Sequence, residues 1–304
     1  MRTFARMLQI VVAGMVVLAA GHAVAEVPAA NVSHSELPSP TPEPEGVQAV
    51  GAALADGNTG AVRWSRELNT PVPMASITKV MTAQVVLDAG DLDRNITVPQ
   101  GIVSYCGANN GSTADLVPGE VLTGRQLLHA LLLPSGCDAA YALAEEYGPG
   151  QDAFLGKMND TAHRMGLAGT HFTDPSGFPI PTDYATHSTP ADLLTLGRHA
   201  MSRPEFRDIV RLPVYHLPAG PGNRDHLWET TNLLLESYRG TVGIKTGSTD
   251  AAGTCLLFEA VRAGQPLIGV VLHSSPDSDE AAAADAERML DWGYGPILGA
   301  LPIS

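Results

Sequence analysis

Residues 73–83 read Pro73-Met74-Ala75-Ser76-Ile77-Thr78-Lys79-Val80-Met81-Thr82-Ala83. The apolar residues Ile77, Val80, Met81, Val85 and Val86 recur at roughly helical spacing, which predicts a helix from about Ser76 to Ala89. Several are β-branched, so packing rather than intrinsic propensity must hold this helix, and it is expected to be buried. Positions i and i+3 of a helix share a face, so Ser76 and Lys79 project together. A serine hydroxyl is a weak nucleophile until a base takes its proton. A lysine kept neutral by burial can be that base. At a helix start the unpaired backbone N–H groups also offer donors to an oxyanion. Ser76 is therefore the candidate nucleophile and Lys79 the candidate base. The Ser-x-x-Lys spacing alone is common, so the rest of the chain decides its weight.

Lysine is scarce in this chain. Of 18 basic residues only Lys79, Lys157 and Lys245 are lysines. Arginine serves equally well for solvated surface charge, but its guanidinium does not give up a proton. Lys245 opens Lys245-Thr246-Gly247 at the end of a predicted strand. That triplet supplies a positive charge, a hydroxyl and a glycine that permits close backbone approach. Ser135-Gly136-Cys137 falls between two predicted helices. The first begins at Thr123, where Thr123-x-x-Gln126 has the form of a capping box, and Pro134 ends its apolar run. The second covers about Asp138 to Glu146. Lys157 sits in a polar helical stretch and reads as solvated.

Farther out, Asp56-Gly57-Asn58-Thr59-Gly60 is a turn between strand-like runs at 48–56 and 60–68. Residues 242–248, 253–261 and 266–274 also read as strands, the last two as a hairpin about Ala263-Gly264-Gln265. A final helix spans about Glu280 to Trp292. Strands from both ends of the chain, bracketed by helices, predict an α+β fold in three layers.

Arg2 and Arg6 precede an apolar run from Met7 to Ala20, and Ala23-Val24-Ala25 follows. This is the pattern of a cleaved secretory leader, residues 1–25. A Pro-rich linker, 26–46, and one catalytic domain, 47–304, are expected to follow. The chain is thus expected to act outside the cytoplasm, in the cell envelope or secreted, as a monomer. The net charge of −14 argues against nucleic acid as a partner. Three cysteines, Cys106, Cys137 and Cys255, cannot all pair. One bridge is open to an exported chain, but three free thiols are the expectation, with Cys106 and Cys255 read as small buried hydrophobes. The ten histidines form no metal-binding pattern, so neither metal nor cofactor is implied. Asp174, before Pro175 and near Gly177, reads as a turn former.

Ser-x-x-Lys, a middle serine motif and Lys-Thr-Gly occur together in penicillin-binding proteins and class A β-lactamases. The wider segments match more closely. PMASITKVMTA (73–83), LLLPSGCDAAYALAE (131–145), THFTDPSGF (170–178), TTNLLLESYRGTVGIKTGST (230–249) and RMLDWGY (288–294) resemble the low-molecular-mass D-alanyl-D-alanine carboxypeptidases, serine peptidase family S11. The resemblance runs from about Val47 to Tyr294. It implies a β-lactamase/transpeptidase-like fold, a five-stranded antiparallel sheet flanked by helices with a helical subdomain. It also implies acyl transfer on peptidoglycan stem peptides ending in D-Ala-D-Ala. Ser76 would attack the penultimate D-Ala carbonyl, with Lys79 as base and the N–H groups of Ser76 and Ser248 as oxyanion hole. Ser135 and Lys245 would relay a proton to the leaving amine. Lys245, Thr246 and Thr249 would hold the terminal carboxylate, beside Gly247. Water or an amine would resolve the acyl-enzyme, and β-lactams would acylate Ser76. Most of the family carries Asn where this chain has Cys137; a subset, including some single-domain transpeptidases, has Cys. Cys137 is expected to be a tolerated small residue that slows turnover, the alternatives being a redox or thiol-sensitive point beside the nucleophile and a residue of no functional consequence.

Two rival functions share parts of this pattern. A class A-like β-lactamase needs a glutamate to activate the deacylating water, but Glu229 is too close to Lys245 and Glu205 lacks a following Asn. A non-catalytic peptidoglycan- or β-lactam-binding module is disfavoured by the intact Ser76, Lys79 and Lys245.

Overall fold

Asp56 Oδ1 accepts from the backbone N–H groups of Asn58 and Thr59 at 3.1 and 2.9 Å. These bonds fold the chain back on itself, so β1 (Gly51–Asp56) and β2 (Val62–Arg66) form the expected hairpin. The computed structural model describes residues 43–295. The expected leader, 1–25, and most of the expected linker, 26–46, lie outside the described residues.

After β3 (Val72–Pro73) comes a single 3-10 turn, Ala75–Thr78, which runs into α1 (Lys79–Ala89). The sequence predicts regular helix from Ser76; the first turn is instead wound tighter. Residues i and i+3 eclipse in that geometry, which aligns Ser76 with Lys79. Next come β4 (Asn95–Thr97), α2 (Ile102–Ala108), β5 (Val121–Thr123), α3 (Gly124–Leu132), α4 (Cys137–Tyr147) and α5 (Gln151–Arg164). The capping box of α3 is present: Gln126 N donates to Thr123 Oγ1 at 3.2 Å, and Thr123 N to Gln126 Oε1 at 2.8 Å. Lys157 is exposed, as expected, and its Nζ also donates to the carbonyl of Tyr147, the last residue of α4, at 2.5 Å. A cation there meets the negative end of the helix.

The chain continues through β6 (His187–Ser188), α6 (Pro190–Met201), α7 (Pro204–Val210), β7 (Val214–Leu217), β8 (His226–Glu229) and α8 (Leu234–Ser237). It then enters β9 (Thr241–Thr249), β10 (Gly253–Arg262) and β11 (Gln265–Leu272), and ends the described part in α9 (Asp279–Tyr294). Ala263 and Gly264, at φ 49° and 78°, make the two-residue turn between β10 and β11.

The sheet has five antiparallel strands in the order β2-β1-β11-β10-β9. Both its faces are covered, which is why its inner strands read as nearly continuous apolar runs. On β11, Leu267 and Val271 pack into the core shared with α9, while Ile268, Val270 and Leu272 pack into the core shared with α1, α3, α4 and α6. Alternation along a strand thus divides one apolar run between two layers. The expected three-layer α+β architecture and five-stranded sheet are found. The edge strand β9 carries Lys245-Thr246-Gly247 and runs past the 3-10 turn that carries Ser76.

Candidate active site

Two glycines hold the nucleophile's turn. A Cβ on Gly247 would lie 2.8 Å from Met74 O and 3.0 Å from Ser76 N, so β9 approaches the turn more closely than any side chain allows. On the other flank, a Cβ on Gly177 would lie 2.0 Å from Ala75 O, and the φ of Gly177 is +95°. Pressed between strand and loop, Ala75 takes a left-handed φ of 48°. Ser135 does the same at 64°. Non-glycine residues adopt this region at a cost and are concentrated at functional sites.

Lys79 is 2% exposed, and its Nζ donates to Ser76 Oγ at 2.7 Å and to the carbonyl of Ser176 at 2.8 Å. Burial pulls its pKa down to about 7, against the upward pull of the Asp174 and Asp138 carboxylates. Neutral Lys79 is therefore accessible near neutrality, as a base for Ser76 requires. Lys245 is 1% exposed, and its Nζ donates to the carbonyl of Thr246 at 3.1 Å and to Thr246 Oγ1 at 3.4 Å. Burial and then the Lys79 charge push Lys245 well below the ordinary lysine range, while Asp279 pulls the other way. Both lysines are thus biased toward the neutral form, and an anionic ligand would draw them back toward the charged one.

The loop at 174–178 is organised by Asp174. Its Oδ1 accepts from the N–H groups of Ser176, Gly177 and Phe178 and from Ser176 Oγ, at 2.7 to 3.0 Å. This is the expected turn, but it also aims the Ser176 carbonyl at Lys79. Tyr141 of α4 donates its hydroxyl to Asp174 Oδ2. Asp138 accepts from the N–H groups of Ala114 and Leu116, tying that segment to the start of α4.

The cysteine expectation is corrected. Cys106 of α2 and Cys137 at the start of α4 form a disulfide across a separation of 31 residues. Only Cys255 remains free, buried, with its thiol pushed up to about 12. The Cys137 sulfur has no proton to donate to a ligand and is not an exposed thiol. Its contribution is to fasten α2 beside Phe178 and Tyr141. The first cysteine lies on a different element, so spacing carried no sign of the pairing.

A cleft of about 740 Å³ opens over Ser76 and Lys79. Cys137, Ser176, Phe178, Ser248 and Thr249 help line it, with Asn109 to Ser112 along one side and Asp183, Asp250 and Asp277 at other points. Ser135, Lys245 and Gly247 are buried, Thr246 is half-buried, and none of the four belongs to that lining. Among the described residues, no hydrogen bond joins Ser135 Oγ to Ser76, Lys79 or Lys245. Sequence reasoning passed over Tyr141 and Ser176, and read Cys106 only as a small buried hydrophobe. Tyr141, one turn beyond Cys137 on α4, had a positional signal. The Ser176 carbonyl, as a backbone group, had none.

A serine whose hydroxyl meets a buried, half-neutral lysine on a tight helical start, beside the edge of an antiparallel sheet, defines the class of active-serine acyl-transfer enzymes. A family model for D-alanyl-D-alanine carboxypeptidases, peptidase family S11, matches residues 39–275. A D-alanyl-D-alanine carboxypeptidase of Streptomyces sp. strain K15 is 39% identical over 260 residues, 82% of this chain and 88% of that protein. The Mycobacterium tuberculosis H37Rv carboxypeptidase DacB2 is 37% identical over 246 residues, 79% and 80% of the two chains. The crystal structure of the Streptomyces K15 DD-transpeptidase superposes with a TM-score of 0.76, covering 82% of this chain and 97% of that one. The chain belongs to the D-alanyl-D-alanine carboxypeptidase family, S11.

Proposed function

We propose that this protein is a serine-type D-alanyl-D-alanine carboxypeptidase or transpeptidase, exported to act on peptidoglycan stem peptides through an acyl-enzyme on Ser76. The observation that carries the reading is the 2.7 Å contact between Ser76 Oγ and the buried Nζ of Lys79, whose pKa lies at about 7. Lys79 takes the hydroxyl proton as Ser76 Oγ bonds to the penultimate D-Ala carbonyl carbon. The N–H groups of Ser76 and Ser248 stabilise the oxyanion. The peptide C–N bond then breaks, and Ser135 with Lys245 passes a proton to the departing D-Ala nitrogen. Lys245, Thr246 and Thr249 hold the terminal carboxylate. Water, or the amine of a second stem peptide, attacks the ester and restores Ser76. β-Lactams enter by the same first step.

Release of D-Ala from a stem peptide, with and without an added amine, tests the reading. D-Ala release alone assigns hydrolysis, and a new amide product assigns transpeptidation. Absence of covalent labelling by a fluorescent penicillin, with Ser76→Ala indistinguishable from wild type, would sink the catalytic reading.

A further inference from the structure

Thr231 lies between β8 and α8, outside the three motifs, and its position is closely determined. The neighbouring Thr230 N donates to Pro213 O at 2.9 Å, Thr231 N donates to Leu133 O at 3.1 Å, and Asn232 Oδ1 accepts from Leu234 N at 3.2 Å. Leu133 stands two residues before Ser135, so Thr231 is anchored to the segment that carries the middle motif. Its hydroxyl shares a 2.5 Å hydrogen bond with Thr246 Oγ1 on β9. One residue thereby connects the Ser135 junction to Lys245-Thr246-Gly247.

Counting protons gives this bond a direction. A threonine hydroxyl has one proton and two lone pairs. Lys245 Nζ lies 3.4 Å from Thr246 Oγ1 and, when protonated, as it is beside an anionic ligand, it only donates. If Thr231 also donates, both lone pairs of Thr246 are filled and its single proton is free for a ligand. If Thr246 donates to Thr231 instead, that proton is used up within the protein. A ligand carboxylate accepts and cannot donate, so it stabilises the first arrangement.

We propose that Thr231 is a positioning residue that sets specificity for a terminal carboxylate, by donating to Thr246 Oγ1 and turning the Thr246 proton toward the ligand. This rests on the reading of Thr246 as a carboxylate contact. Removing the donor should weaken recognition of ligands ending in a free carboxylate and spare those in which it is masked.

The test uses the full enzyme and one acyl donor in two forms, a D-Ala-D-lactate-type depsipeptide with a free terminal carboxylate and its methyl ester. Acylation rates for both are measured on wild type, Thr231→Val, Thr231→Ala and Thr231→Ser. The ratio of the two rates within one sample does not depend on how much of that sample is folded. The expected result is a drop of about tenfold in the carboxylate-to-ester ratio for Val and Ala, the size of one hydrogen bond, with Ser restoring it. An unchanged ratio, or one that falls equally for Ser, overturns the proposal. Failure of wild type to form any Ser76 ester with either donor would instead count against the function proposed above.

Discussion

The two sides of the cleft are held by different physics. On the Ser76 side, the 3-10 turn is wedged between β9 and the 174–178 loop, with Gly247 and Gly177 at contacts no side chain tolerates. Buried hydrogen bonds from Lys79 and to Asp174 complete it. Where it leads into the cleft-lining residues 109–112, α2 buries only Cys106. A seven-residue helix with one buried side chain has too little apolar contact to stay in place by packing. The Cys106–Cys137 bond and a small cluster with Phe178, Ile102 and Tyr141 hold it. The side that carries the chemistry is positioned by close tertiary packing, and the side that shapes the cleft relies on a disulfide, a small apolar cluster and hydrogen bonds to the start of α4. Tyr141 joins the two, packing beside the disulfide while bonded to Asp174.

The contrast can be tested from its strong end. Lys79→Arg keeps a cation but forbids the neutral state, and should lower Ser76 acylation by about 10²–10⁴-fold, the range of a lost general base. Labelling with a fluorescent penicillin measures this, with a thermal melt to confirm folding. In the wild type, raising the pH removes the Lys79 proton, so acylation should climb with pH about a midpoint near 7. Gly177→Ala places a Cβ against Ala75 O at a φ of +95°. It should cost about 2–4 kcal/mol in urea unfolding and slow acylation by at least about tenfold.

Cys106→Ser tests the other side. Opening a 31-residue loop should cost about 2–4 kcal/mol of stability. Acylation by a small β-lactam should change by less than about tenfold, because the nucleophile's supports remain. Dithiothreitol should reproduce the effect on the wild type and leave the variant unchanged. A loss as deep as that of Lys79→Arg would erase the distinction between the two sides. The smallest effect is expected at the link. Tyr141→Phe removes the hydroxyl that donates to Asp174 Oδ2 and leaves the Ser176 donor on Oδ1, so the carboxylate draws the Lys79 charge more strongly. The midpoint of the acylation profile should move upward, with burial and Asp138 still acting on Lys79 as before.

Much of this was legible from residues 73–83 outward. Local chemistry marked the Asp56 turn, the α3 capping box and the β10–β11 hairpin, because each depends on residues a few positions apart. The alternation that splits β11 between two cores was hidden, because both faces are apolar and periodicity disappears when a strand is buried twice. The cysteines were misread for a different reason: Cys106 and Cys137 meet only because α2 folds back onto α4.

By itself, the sequence determined the candidate nucleophile and base. Ser76 and Lys79 are three residues apart, and a helical start of either pitch brings them together. Tertiary structure decided whether that lysine can serve as a base. Its pKa depends on burial beneath the 174–178 loop and on Asp174 and Asp138, carboxylates far from it in sequence. It also decided the state of Cys137, and it set Thr246 beside Thr231, fifteen residues away in the chain. Spacing along a helix is a local property. Desolvation, disulfide pairing and the direction of a hydroxyl proton depend on what the rest of the fold packs around them.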